Sequence, residues 1–139
     1  MFNPLRSLPA SRAVITCLLA FSLCACATFT HSQSQVRVQQ LKEAHLAFID
    51  NHARPAGTPA PWDQAGFASE VAKIRAQFAA AETAESRAVP ARKAFIKNSA
   101  DLFEHDAALI GKRHYLTPSF VANKKKQIEQ NYDLFLHNP

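Results

Sequence analysis

No cysteine lies beyond residue 26 of this 139-residue chain. Cys17, Cys24 and Cys26 are the whole supply, so the long remainder folds without a disulfide and without thiolate metal ligands. The initiator is the only methionine and no Cys-x-x-Cys-His occurs, which argues against haem held by Met and His or attached covalently. With three glycines in all and no Gly-x-Ser-x-Gly, the strained turn of a serine hydrolase is missing. No strand pair, hairpin signal or sequence repeat is visible either, and the class that remains is all-α. A strong excess of base is also lacking. The formal charge is +5, two of the arginines (Arg6, Arg12) sit at the extreme N-terminus, and the others are scattered apart from one Lys triplet, which excludes an obvious nucleic-acid partner.

What is present begins with an export leader. Met1 to Arg12 is basic with no acid, Ala13 to Leu23 is an apolar run, and small residues follow at Ala25 and Ala27. The run covers eleven residues, whereas a membrane-spanning helix needs about 20, so the expectation is a signal peptide removed after export. Leu23-Cys24-Ala25-Cys26 resembles the lipobox of bacterial lipoproteins, with Cys24 standing where Ala or Ser is usual. The resemblance covers these four residues and the leader. It implies a signal peptide over 1–25, fatty acylation (palmitate) of Cys26, and a mature chain held to a membrane by lipid. Ala27 is not the Asp that retains such proteins in the inner membrane, so in a Gram-negative host the resemblance implies the outer membrane, facing the periplasm. Plain secretion, with cleavage after Ala27 in the pattern Ala25-Cys26-Ala27, is the rival reading.

Residues 26–34 are polar and read as a tether, and residues 35–139 as one helical bundle domain of three or four helices. Val38, Leu41, His45, Phe48 and His52, with Ile49, mark one face of a first helix beginning at Ser32 or Ser34. Ala53 to Pro61 holds three prolines and a glycine and is a surface link, after which Asp63 caps a second helix. Phe67, Ile74, Ala81, Ala88, Phe95, Leu102 and Leu109 keep a strict seven-residue interval. Their companion row shifts from Val71 and Phe78 to Ile96, Phe103 and Ile110, and Pro90 supplies the reason for a break. Two helices are expected, the later one capped by Ser86, with a single kinked helix over 64–110 as the alternative. Gly111 is expected to end that helix, and Thr117-Pro118 to open a last one with Val121, Ile128, Tyr132 and Phe135 on its buried face.

Six histidines invite a search for metal ligands, but none pairs at the three- or four-residue spacing that brings two helical ligands to one ion. His45 reads as a partly buried seam residue and His105 as a solvated one. No catalytic, metal or cofactor residues are assigned. The most specific surface feature is Lys124-Lys125-Lys126, with Tyr132 further along the helix, which is either a solvated face or a contact for an acidic partner or lipid headgroups. Trp62, the sole tryptophan, is either an interface anchor or a cover for the bundle end. Subtraction thus points away from an enzyme and toward a lipid-anchored envelope protein that binds another protein, as an accessory, inhibitor or immunity-type component. An enzyme or small-ligand carrier built from dispersed helix residues is the alternative.

Overall fold

The computed structural model describes residues 32–55, 57–58, 61–85 and 90–137. The leader, the lipobox with Cys26 and the proposed Ser86 cap lie outside them. Contacts divide the chain between Ser34 and Gln35, and the unit from Gln35 onward is the helical bundle. Its helices are α1 (32–51, of which 35–51 belong to this unit), α2 (Gln64–Glu85), α3 (Pro90–Arg113) and α4 (Pro118–His137). No strand occurs among the described residues beyond an isolated parallel bridge between Ala53 and Leu116, and no described helix is long and apolar enough to cross a membrane. Of the tether expected over 26–34, residues 32–34 are already helical.

Polar contacts between helices fix an up-down-up-down arrangement. Arg37 meets Glu85 and Asn51 meets Glu70, so α1 and α2 run antiparallel. Arg75 forks onto Glu104 with two bonds of 2.6 Å while Lys93 faces Glu82, which sets α3 antiparallel to α2. Lys42 with Asp133 and Lys125 with Asp50 close α4 back onto α1. Two connections, α1 to α2 and α3 to α4, therefore share one end of the bundle. Backbone bonds tie them together there, from Arg54 N–H to the Leu116 carbonyl and from Leu116 N–H to the His52 carbonyl, each 2.9 Å.

The core follows the apolar rows. Val38, Leu41, Phe48 and Ile49 of α1 meet Val71, Ile74, Phe78 and Ala81 of α2, Ile96, Phe103, Ala107 and Ile110 of α3, and Val121, Ile128 and Tyr132 of α4. Each fully buried Phe or Ile contributes about 1.5–3 kcal/mol relative to exposure. Before Pro90 both rows enter the core, Val71 and Phe78 together with Ile74 and Ala81, whereas after it the shifted row of Ile96, Phe103 and Ile110 is buried and Phe95, Leu102 and Leu109 of the strict row are only half-buried. Pro90 is the first residue of α3, a position where a missing N–H leaves no helical bond unmade.

Helix ends show which local rules held. Asp63 caps α2 by accepting the Gly66 N–H at 2.9 Å, and Pro118 opens α4 with the Thr117 carbonyl accepting the Val121 N–H. Gly111, by contrast, does not end α3. The helix continues to Arg113, and the left-handed residue is His114, with φ 68°. Gly111 faces the Phe67 ring, where an added Cβ would stand 3.4 Å from Cε1, so its helical position reflects proximity to α2 rather than chain reversal.

Candidate functional site

Two polar clusters organise the bundle. The first is internal. His45 sits in the apolar row of α1 between Leu41 and Phe48, and Asp106 in that of α3 between Phe103 and Ile110, so helical phase sends both side chains inward. His45 Nε2 lies 3.2 Å from Asp106 Oδ2, and Lys124 Nζ reaches Asp106 Oδ1 at 2.5 Å. His45 is fully enclosed rather than partly buried as its place in the seam suggests, with Phe103 and Tyr132 edge-on to its ring. Burial by itself would raise the Asp106 carboxyl, but the imidazole and the ammonium together outweigh it and hold the group below the ordinary aspartate range. His45 Nδ1 has no hydrogen-bond partner among the described residues. Both His45 and Asp106 are shut off from solvent, so the cluster has the ingredients of an acid–base pair but no approach for a substrate.

The second cluster is open. Where the two connections meet, a cleft of about 710 Å³ is lined by Arg54, Trp62, Glu70, His114 and Tyr115 among others. The left-handed backbone at residue 114 turns its ring onto Trp62, stacked at 4.6 Å between centroids with 15° between planes. Phe67 supports the indole from the core side at 4.9 Å, and His52 flanks it at 6.1 Å. Trp62 thus covers the bundle end and forms cleft wall at once, while its indole N–H donates to Gln64 at 2.7 Å. Tyr115 is 41% exposed. Glu70 accepts a bond from Asn51 and lies 3.8 Å from His52 Nε2.

The lysine triplet is divided in its contacts. Lys124 is bound to Asp106 and Lys125 to Asp50 at 2.6 Å, and of the three only Lys126 is exposed. Tyr132, grouped with these lysines as a contact, is completely buried against His45 and Phe95, because it falls on the core row of α4, and it offers no surface. Burial pushes its phenol well above the usual tyrosine range. His105 is exposed on the outer side of α3. Among the described residues no three His, Cys, Asp or Glu side chains gather as metal ligands. The His45–Asp106 pair and the role of His114 were missed in the sequence, although an acid and an imidazole inside apolar rows were the available signal for the first.

Together these features define a small all-α helical bundle with a sealed polar core and one aromatic-lined open end. Comparison of the chain with protein-family models, with curated proteins and with solved structures found no match.

Proposed function

We propose that this protein is a lipid-anchored component of a bacterial envelope that binds another protein through the open end of its bundle, as an accessory, inhibitory or immunity-type factor. The observation that carries the reading is the meeting of Trp62, Arg54 and Tyr115 around one cleft. Trp, Tyr and Arg are the side chains that dominate interface energetics, since each desolvates a large apolar body while keeping a polar handle. The internal cluster supports the same reading by contrast, because its imidazole and carboxylate are inaccessible. The anchor rests on the lipobox resemblance at Cys26. Sorting to the outer membrane, facing the periplasm, follows from Ala27 in a Gram-negative host.

Crosslinking in intact envelopes followed by affinity capture tests the binding. Arg54→Ala and Tyr115→Ala, both at exposed positions, should reduce recovery of a specific partner at least tenfold, the equivalent of about 1.4 kcal/mol. Undiminished recovery, or repeated capture of nothing, would sink the reading. Labelling with a palmitate analogue tests the anchor: Cys26→Ser should lose the label and move the protein to the soluble fraction. A small-ligand carrier remains the second reading, favoured by a cleft volume in the range that ligand sites occupy. Binding of a metabolite that protects Trp62 fluorescence from quenching would select it.

A further inference from the structure

We propose that the end of the bundle where α1 begins and α4 finishes rests on the bilayer surface through Val36, Leu134 and Leu136, which holds the Trp62 cleft away from the membrane. The inference depends on acylation of Cys26, as argued above, and adds an orientation to it. Between Cys26 and the start of α1 the chain has five residues, whose fully extended reach is about 20 Å. The first turns of α1 are therefore confined beside the membrane. α1 then runs for about 30 Å at the helical rise of 1.5 Å per residue, and the cleft lies at its far end, lined by Asn51, His52 and Arg54.

Surface chemistry at the near end suits a lipid interface. Val36 is 54% exposed and Leu134 67%, and the only other large apolar side chain this open among the described residues, Tyr115, belongs to the opposite end. Leu136 and Val36 line a shallow groove between α1 and α4. Two of the ions around it are paired and Glu43 is not. Arg37 is paired with Glu85, Lys42 with Asp133, and Glu43 accepts a bond from Gln39. Seating this end in the headgroup layer covers the exposed branched side chains of Val36 and Leu134, which share the end rather than one face, while Glu43 stays in the aqueous rim. The lysine triplet lies in the half of α4 nearer the cleft, so headgroup contact by those lysines is not part of this arrangement.

The test uses the mature lipidated protein in vesicles of phosphatidylethanolamine with a minority of phosphatidylglycerol. A spin label on Leu134→Cys should be several-fold less accessible to a water-soluble nickel reagent, and more accessible to oxygen, than a label on Tyr115→Cys. In the unlabelled protein Trp62 should escape quenching by brominated lipid. Equal nickel access at both sites, or strong quenching of Trp62, overturns the proposal. Protection at 134 that persists without lipid and is accompanied by spin–spin broadening also overturns it, since a second copy then occupies the patch. The mass of the mature N-terminus separates the two levels. An unacylated Cys26 removes the tether and both readings with it, whereas an acylated Cys26 with an unprotected label 134 removes this one alone.

Discussion

His45 Nε2 and Asp106 Oδ2 stand 3.2 Å apart across 61 residues of sequence, in a part of the core that solvent does not reach. Three groups share this contact, because Lys124 holds the second carboxylate oxygen. Removing the acid strands an imidazole and an ammonium together. Asp106→Ala should lower stability by about 3–5 kcal/mol, the usual cost of breaking a buried pair from one side. The double replacement His45→Leu/Asp106→Leu should cost less than the sum of its single changes, by about 0.5–3 kcal/mol. Urea unfolding followed by circular dichroism measures both, and strict additivity would show that the two side chains do not act as a unit.

Acid should weaken the same place. The native state lowers the Asp106 pKa, so it binds that proton less readily than the unfolded chain does. Its contribution is complete above the ordinary aspartate value of 3.8 and disappears as pH falls through the lower native value. The wild type should therefore lose stability more steeply below that point than Asp106→Asn, whose amide does not titrate. Parallel midpoint-against-pH curves for the two proteins would contradict the assignment.

Tyr132 should respond at the opposite extreme of pH. Its phenol is raised, so the native state holds the proton more tightly and the associated stability is complete below the usual tyrosine value of 10.0, declining as pH rises beyond it. In Tyr115→Phe, which leaves Tyr132 as the sole tyrosine, phenolate absorbance should appear together with loss of helical ellipticity rather than before it. The buried Tyr132 hydroxyl has no hydrogen-bond partner among the described residues, so Tyr132→Phe should stay within about 1 kcal/mol of the wild type.

Two helical glycines should behave in opposite ways. An added Cβ at Gly66 would collide with the Asp63 carboxylate that caps α2. Gly66→Ala should therefore destabilise by about 1 kcal/mol, the usual cost of a lost cap, despite the better helix propensity of Ala. At Gly111 the new carbon would meet the edge of the Phe67 ring at ordinary contact distance. Gly111→Ala should stabilise by about 0.5–1 kcal/mol. Thermal or urea midpoints give the signs, and a stabilising Gly66→Ala would refute the capping geometry.

His114 combines a left-handed backbone with a stacked ring. Replacement by Ala loses the stack and keeps the strain, whereas Gly loses the stack and relieves it. His114→Gly should accordingly be more stable than His114→Ala by about 1 kcal/mol, and both should shift the emission of the adjacent Trp62. Equal stability of the two variants would mean that the turn relaxes once the ring is gone.

Much of the fold was legible because it is written in periodicity and punctuation. The rows Val38–Leu41–Phe48 and Val71–Ile74–Phe78, the phase change at Pro90, the Asp63 cap and the Thr117-Pro118 start each act within a few residues, where local sterics decide. The end of α3 was not legible. Gly111 carries the usual stop signal, but Phe67, distant in sequence, packs against it, and Ile110 can still bond the His114 N–H at 2.6 Å. The open cleft was equally hidden, since it depends on a ring at residue 114 reaching Trp62 across the fold. His45 and Asp106 stood inside apolar rows, yet only tertiary packing could pair them, and Lys124 read as one of three solvated cations until Asp106 gave it a counter-ion.

The paired amides and carbonyls that join residues 52–54 to Leu116 have a consequence for recognition. They hold residues 52–54 against Leu116 in the unbound chain, so a partner of the kind proposed would meet main chain that is already ordered on that side of the mouth. Association at that mouth should consequently resemble rigid-body fitting, with a small entropic penalty and free and bound conformers that nearly superimpose.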